Sequence, residues 1–310
     1  MAGSDHQVTP HASGAGPLTA SRSARAEPDT PAADYTSVLV PLDGSEAAAR
    51  ALGTARLLAE RFGAALHVVA AGVSRDERWW YEGYLGRLEA GPATVAHLSD
   101  RQDVAAAILA TARSLDPCLV CLATHGRSRL AGLVGSTFAD LAGRAGQPLV
   151  AVGPHVAPRA ATLDRVAVCL DGEEVAERAV PVAASWAGRL GLRVSLLTAA
   201  DPLLTGSWMQ RHHARSSGRY RPDGNPLTYL AVLAARPELD GLMVDREVLW
   251  STASPHLAIG QHLDHHPATL AVATTHGRTG LARAVLGSEV AHIVHRSRVP
   301  LLIVPPATPG

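Results

Sequence analysis

The sequence is poor in aromatic residues, in cysteine and in net charge, and each shortage excludes a class of protein. Aromatic residues make up only 4% of the 310 residues, although 47% are hydrophobic. A core must therefore be built from Ala, Val and Leu, which suits parallel strands covered by small-residue helices. Three cysteines exclude a disulfide scaffold. Lys plus Arg and Asp plus Glu both total 28, and a neutral chain without a basic block is a poor candidate for binding nucleic acid.

Long apolar runs are also lacking, as is a recognisable signal peptide. The sequence therefore predicts a cytoplasmic protein with no membrane partner. Cys118 and Cys121 have CxxC spacing, but they lie in an apolar, strand-like run and no second pair accompanies them. Buried, inert thiols are expected there rather than a redox or metal site.

What the sequence does contain is two copies of a glycine-bounded loop. The second copy opens with Thr-Thr-His-Gly at 274–277 and closes with Gly287-Ser288, with nine residues between Gly277 and Gly287. The first copy has Gly126 and then, after eight residues, Gly135-Ser136. A strand-like run precedes each loop and a helix-like run follows it. Such a loop lets backbone N–H groups approach a phosphate, and the helix N-terminus adds partial positive charge. Both copies predict nucleotide phosphate sites.

The rest of the chain repeats as well. Asp43 and Asp171 each follow a short apolar strand, and they are 128 residues apart, as are Gly63 and Gly191. Gly135 and Gly287, the glycines that close the two loops, are 152 apart. The second copy therefore has a longer middle, which we place in a surface loop at 201–227. The predicted organisation is a disordered tail at 1–34, a first domain at 35–153, a linker at 154–164 and a second domain at 165–306.

Strands alternating with helices predict parallel sheets with right-handed crossovers. The first copy has predicted strands at 38–42, 66–71, 119–123 and 149–152, and the second has them at 166–170, 194–199 and 301–304. Ser45 is a predicted helix cap, and Gly63 and Gly191 are predicted helix ends. Ligands of such sheets bind beyond the carboxyl ends of the strands, so Asp43 and the first glycine loop can share one cleft. Asp171 and the second loop can share another.

With an early strand-end Asp, a late glycine loop and a closing apolar strand in both copies, the chain resembles a tandem universal stress protein over about 37–305. The resemblance implies an α/β class of fold, with two tandem Rossmann-like (adenine nucleotide α-hydrolase-like) domains. Each would have a five-stranded parallel sheet with helices on both faces. The last strands of the two halves would pair, giving an internal pseudo-dimer, and a further homodimer of whole chains stays open.

The resemblance also implies site residues for ATP, with Mg²⁺ on its phosphates and no metal ligand from the protein. The early acids would contact the adenosine end, and the backbone at the end of the second strand would contact adenine. Glycines and a serine of each late loop would hold ribose and phosphates. The implied set is Asp43, Ala71, Gly126, Gly135 and Ser136 in the first half, and Asp171, Ala199, Gly277, Gly287 and Ser288 in the second.

Two departures from the family pattern matter. Ala123 and Thr274 stand where the family has its first loop glycine, and the first loop is one residue short. A missing residue moves the Gly135 N–H by up to ~3.5 Å in an extended loop. The second half is therefore predicted to bind ATP more tightly.

The function implied is a sensor or regulator that binds ATP with little or no catalysis. One alternative is a nucleotide-hydrolysing or adenylyl-transferring enzyme, although no loop contains lysine. Another is an interaction module without nucleotide. A strand-end Asp can also simply cap a turn. No catalytic residue is predicted, because neither His125 nor His276 has a carboxylate or nucleophile at a diagnostic spacing. The histidines at 256, 262, 265 and 266 are expected to form a solvated helix face rather than a zinc site.

Overall fold

In its described residues, the first half of the chain contains five strands, four helices and a short helical stretch at 83–86. The computed structural model describes residues 33–70, 83–86, 88, 94–97, 103–124, 136–157, 162–203, 225–275 and 288–305. Its first-half elements are β1 (Ser37–Leu42), α1 (Glu46–Ala49), α2 (Ala51–Phe62), β2 (Ala65–Ala70), β3 (Thr94–His97), α3 (Val104–Ser114), β4 (Cys118–Ala123), α4 (Ser136–Arg144) and β5 (Leu149–Val152).

The second half repeats this order. Its elements are β6 (Arg165–Leu170), α5 (Glu174–Glu177), α6 (Ala179–Leu190), β7 (Arg193–Ala200), α7 (Pro226–Ala234), a 3₁₀ turn (Pro237–Leu239), β8 (Val244–Trp250), α8 (Pro255–Asp264), β9 (Thr269–Thr274), α9 (Ser288–Arg296) and β10 (Leu301–Val304). The predicted insertion at 201–227 falls between β7 and β8, and residues 204–224 of it lie outside the described part of the chain.

All ten strands form one sheet in the order β3-β2-β1-β4-β5-β10-β9-β6-β7-β8. Pairing is parallel within each half and antiparallel only where β5 meets β10. The predicted fold class is therefore confirmed, with five parallel strands in each half. The predicted pairing of the last strands is confirmed too, and it joins the two sheets into one.

Local sequence explains where the helices stop. α2 ends at Gly63 and α6 at Gly191, with φ angles of 68° and 66°. Glycine reaches this left-handed conformation without a Cβ penalty, so the chain can leave the helix and satisfy its last carbonyl groups. Both glycines were predicted as helix ends, and both predictions are confirmed.

The helices cover both faces of the sheet. The apolar residues of α1, α2, α5, α6 and α7 pack on one face, and those of α3, α4, α8 and α9 pack on the other. Cys118 and Cys121 are buried and free, as predicted, and Cys169 is buried and free as well. Burial raises the pKa of Cys118 and of Cys169 to about 12. In the described part of the chain, no helix has the length and apolarity that crossing a bilayer requires.

The junction between the halves is nearly two-fold symmetric. Val150 pairs with Leu302, its equivalent 152 residues later, so a pseudo-two-fold axis passes between these two strands. Beside it, Tyr35, Phe62 and Trp186 form a buried edge-to-face cluster with ring centroids 5.0 to 5.7 Å apart. Desolvation in this cluster raises the pKa of Tyr35 to about 12. A rigid aromatic contact of this kind stabilises the junction beyond simple area burial.

Candidate functional site

Asp43 follows β1 and opens a tight turn into α1. Its Oδ1 accepts hydrogen bonds from the Ser45 backbone N–H at 3.0 Å and from the Ser45 hydroxyl at 2.6 Å. The hydroxyl oxygen of Ser45 in turn accepts from the Ala48 backbone N–H at 3.1 Å, so Ser45 caps α1 as predicted. Gly44 has a φ of 84°, which allows the turn to be this tight. The half-buried Asp43 carboxylate is thereby fixed at the strand end.

Asp171 makes the same turn after β6. Its Oδ1 accepts from the Glu173 backbone N–H at 2.9 Å, and Gly172 has a φ of 87°. Glu173 stands at the position of Ser45 and makes no side-chain cap bond to α5. Asp171 is exposed, whereas Asp43 is half-buried. Both carboxylates accept a turn hydrogen bond, which the alternative interpretation of a strand-end Asp expected, but the two differ in their surroundings.

The two central strands of each half separate beside these turns, and we call the gap between them the crevice. β1 stays paired with β2 as far as Leu42, but its pairing with β4 ends at Leu39 and Val120. In the second half, β6 pairs with β7 as far as Leu170, but its pairing with β9 ends at Val168. The central strands of each half thus part before their carboxyl ends.

These are also the places where the strand order reverses, between β1 and β4 and between β6 and β9. Open α/β sheets bind ligands at such switch points. While β4 parts from β1, the chain after it stays beside β5, because the Thr124 backbone N–H donates to the Val152 carbonyl at 3.0 Å. The Thr275 N–H donates to the Val304 carbonyl at 3.1 Å in the same way. Each glycine loop thus begins on the far side of a crevice from its Asp turn.

Ala199 lies close to Asp171. Leu170 of β6 pairs with Thr198 of β7. Asp171 and Ala199 are the residues that follow this pair, so the Asp171 turn lies beside Ala199 near the end of β7. Ala199 is half-buried and packs against the sheet face that carries α8 and α9. Its first-half equivalent, Ala71, lies outside the described residues. The structure thus brings together Asp171 and Ala199, the two described residues of the second half that were predicted to contact adenosine.

The glycines of both loops, namely Gly126, Gly135, Gly277 and Gly287, lie outside the described residues. What the structure does place is the helix after each loop. α4 begins at Ser136 and α9 at Ser288, the two serines that the sequence analysis assigned to phosphates. Both helices have nine residues, enough to present free backbone N–H groups and partial positive charge at their first turn.

The histidine group departs from the expected solvated face. His265 is exposed, but His256, His262 and His266 are half-buried. The His262 side chain is only 12% exposed, its Nε2 lies 3.5 Å from Glu247 Oε2, and its ring centroid lies 4.4 Å from that of His266. The prediction was wrong for these three because α8 packs against β7, β8 and α9, where the His256 ring stacks on that of His292 with centroids 4.5 Å apart. Within the described ranges, no three His, Cys, Asp or Glu side chains come together as a metal site.

Comparison with known proteins agrees with this architecture. The universal stress protein family model matches residues 71–153 and 162–305. A universal stress protein of Mycobacterium tuberculosis (strain H37Rv) is 27% identical over 205 residues, which cover 60% of this chain and 61% of the relative. A relative from Mycobacterium bovis has the same identity and coverage. The chain therefore spans about three fifths of the length of the curated relatives it matches.

Solved structures share the fold. A universal stress protein from Archaeoglobus fulgidus aligns with a TM-score of 0.58 at 17% identity, covering 88% of this chain and 99% of that one. A protein of unknown function from Pseudomonas aeruginosa aligns with a TM-score of 0.56, also at 17% identity, covering 89% and 94%. At this identity the likeness shows the fold alone. Because the family model matches most of the chain in two tandem segments, the chain belongs to the universal stress protein family.

Proposed function

We propose that each half binds an adenine nucleotide, ATP, in the crevice at its switch point. The observation that carries this proposal is the parting of the two central strands beside an Asp–Gly turn, found in both halves. The gap lies where α/β sheets hold nucleotides, and a helix of nine residues begins at the end of each glycine loop.

The residues divide into two groups along the nucleotide. In the first half, Asp43 and the backbone of Ala71 would contact the adenosine, and Gly126, Gly135 and Ser136 the phosphates. In the second half, Asp171 and the backbone of Ala199 would contact the adenosine, and Gly277, Gly287 and Ser288 the phosphates. Mg²⁺ would be coordinated by the phosphates. The metal would neutralise phosphate charge and need no carboxylate from the protein.

We also propose that the protein regulates a stress response through bound nucleotide and catalyses little or nothing. The two loops that would hold the phosphates, 125–135 and 276–287, contain no Asp, Glu or Lys. A group that activates water would have to stand at the phosphate end. Chromatography of ATP after long incubation with the protein tests this, and turnover at ordinary enzyme rates, about 1 per second or more, contradicts it.

The second site should be the tighter one. Its loop has the full family length, whereas the first loop is one residue short. Asp171 is also exposed, whereas Asp43 is half-buried and bonded to the Ser45 hydroxyl.

Calorimetry with ATP and Mg²⁺ on single-site variants tests the proposal. Asp171→Ala removes both the charge and the acceptor for the Glu173 N–H, whereas Asp171→Asn keeps an oxygen for that N–H and removes the charge alone. Asp43→Ala and Asp43→Asn make the same two changes at the first site. Asp240→Ala is the matched control. Asp240 is exposed and lies near the amino end of β8, whereas the crevices lie at the carboxyl ends of the strands.

We expect Asp171→Ala to remove the tighter binding event and Asp43→Ala the weaker one, with Asp240→Ala unchanged. Equal loss from the two would contradict the asymmetry. Undetectable ATP binding by the unaltered protein, together with no nucleotide released on denaturing the protein as purified, would refute the proposed function and favour an interaction module.

A further inference from the structure

A buried tyrosine stands behind the Asp turn of the first half. Tyr84 is only 6% exposed, and its hydroxyl donates a hydrogen bond to the Ser45 backbone carbonyl at 2.8 Å. Ser45 is the residue whose N–H and hydroxyl both bond to Asp43 Oδ1. The Tyr84 hydroxyl is therefore linked to the Asp43 carboxylate through one intervening residue.

A second buried tyrosine stands behind the other turn. Tyr229 in α7 is 1% exposed, and the groups around its hydroxyl belong to the Asp171 turn and the helix after it. Burial raises the pKa of Tyr229, the charges of Glu177 and Asp171 raise it further, and Arg236 and the Gly172 backbone N–H oppose them. Tyr229 is thus a buried side chain in the neighbourhood of the Asp171 turn.

This second turn has more support than the first. Glu177 is the last residue of α5, the helix that starts just after the turn, and it forms an ion pair with Arg236. Burial raises the pKa of Glu177, and Arg236 and Tyr229 oppose that effect. Tyr229, Glu177 and Arg236 therefore form one polar cluster under the Asp171 turn. Ala49 stands at the equivalent of Glu177, so the first half holds its turn through Tyr84 and Ser45.

The sequence repeat does not reveal this equivalence. Tyr84 and Tyr229 are 145 residues apart, which matches neither the 128 nor the 152 spacing of the repeat. Even so, both belong to the connection between the second and third strands of their half, β2–β3 and β7–β8. In each half, this connection supplies a buried tyrosine near the Asp turn, although the length of the connection differs between the halves.

We propose that Tyr84 and Tyr229 are positioning residues for nucleotide binding, each holding the Asp–Gly turn of its own half in the conformation that presents the carboxylate to the crevice. This inference rests on the proposed binding of ATP. A turn built on a left-handed glycine has several accessible conformations when unsupported. Fixing it beforehand removes an ordering cost that binding would otherwise carry.

The test uses phenylalanine, which keeps the buried ring and removes only the hydroxyl. Tyr229→Phe is placed in the Asp43→Ala chain, which keeps the second site, and Tyr84→Phe in the Asp171→Ala chain, which keeps the first. Losing the Tyr84 hydrogen bond to the Ser45 carbonyl should weaken ATP binding about fivefold at the first site. Tyr229→Phe should likewise weaken ATP binding at the second site.

Tyr35→Phe is the matched control, because Tyr35 is equally buried but belongs to the aromatic cluster at the junction of the halves. It should change stability without changing ATP affinity. Unchanged affinity in both Tyr84→Phe and Tyr229→Phe, or an equal loss in Tyr35→Phe, would overturn the positioning role.

Amide hydrogen exchange without nucleotide separates this inference from the proposed function. Tyr84→Phe should speed exchange at the Ser45 amide, and Tyr229→Phe at the Glu173 amide, because these are the N–H groups that bond to the two carboxylates. Tyr35→Phe should leave both amides unchanged. If the unaltered protein fails to bind ATP, the proposed function fails, and the exchange rates still show whether the hydroxyls hold the turns.

Discussion

At the scale of single residues, Gly153 shows how closely the two halves approach each other. A Cβ on Gly153 would lie 2.0 Å from the Val294 carbonyl oxygen in α9 of the other half. Gly153→Ala therefore forces the backbone of one half to move away from the other. Neither the added Cβ nor the Val294 carbonyl oxygen can rotate aside, because each is fixed to its backbone. We therefore expect the free energy of unfolding, measured by urea denaturation, to fall by about 1–3 kcal/mol.

Gly188→Ala is the control for this prediction. Gly188 lies inside α6, and a Cβ there meets no atom within 4 Å. Alanine favours a helix over glycine by about 0.5–1 kcal/mol, so this variant should be more stable than the unaltered protein. A Gly153→Ala variant that also gained stability would show that the two backbones have room to separate.

His262 predicts how stability depends on pH. Burial lowers the pKa of His262. The nearby His266, Arg165 and His265 lower it further, whereas the charge of Glu247 raises it. Its folded pKa therefore lies below the value of about 6.5 expected in the unfolded chain. As the pH falls through 6.5 the unfolded state takes up the proton first, so the free energy of unfolding decreases with falling pH.

Urea denaturation at pH 7.5 and pH 5.5 measures this effect. His262→Gln removes the titrating group, so its stability should fall less between these two pH values than that of the unaltered protein. A residual slope is expected, because burial lowers the pKa of His295 as well. A variant with an equal or steeper loss would contradict the assignment to His262.

At the scale of elements, α2 and α6 cap each other across the junction. The Arg61 guanidinium in the last turn of α2 donates to the Leu190 carbonyl at 2.6 Å and to the Leu163 carbonyl at 3.0 Å. Arg189, the equivalent 128 residues later, donates to the Phe62 carbonyl at 3.2 Å. Each arginine thus satisfies a carbonyl at the C-terminal end of the other helix, where positive charge is also favoured.

Arg61→Ala should lower the free energy of unfolding by about 1–3 kcal/mol, because it leaves two carbonyl groups without this donor. Arg189→Ala should cost less, because the Arg189 side chain is 44% exposed. Arg113→Ala, which removes an exposed arginine from the last turn of α3, should stay within about 0.5 kcal/mol of the unaltered protein. Similar losses from Arg61→Ala and Arg113→Ala would show that the cross-junction bonds add nothing.

The sequence predicted the elements whose pattern is local. Strands such as β1 and β6 are continuous apolar runs, and α2 and α6 end at glycines, so periodicity and turn chemistry identified them. It did not single out β8, because Asp245, Arg246 and Glu247 interrupt its apolar residues. That composition is typical of an edge strand, where charge prevents pairing with other chains, and β8 does lie at the edge of the sheet.

The candidate site divides in the same way. Asp43 and Asp171 follow strand ends as the sequence predicted, and each begins a turn, whereas their contact with adenosine stays a prediction. Tyr84 and Tyr229 could not be found, because their positions depend on how two connections of different length fold back on the sheet. The sequence also could not reveal that Asp43 is half-buried and bonded to the Ser45 hydroxyl. Nor could it reveal that Asp171 is exposed, since that difference depends on packing.

At the scale of the whole molecule, the ten-stranded sheet makes each half the partner of the other. β5 and β10 would be exposed edge strands in isolated halves, and both are completely buried in the joined sheet. An edge of four apolar residues without charge is prone to pair with another chain. The junction therefore protects two edges at once, and the Tyr35, Phe62 and Trp186 cluster covers apolar surface beside it.

Separating the halves tests whether this junction is needed. We propose the boundary at the predicted linker, 154–164, and expect the fragments 1–160 and 161–310 to form a one-to-one complex when co-expressed. Alone, fragment 1–160 should dimerise, because β5 can pair with a second copy of itself around Val150 as it does with β10 around Leu302. Size-exclusion chromatography with light scattering measures both masses against the intact chain. A monomeric fragment 1–160 with native helix content would show that the edge of β5 is stable without a partner strand.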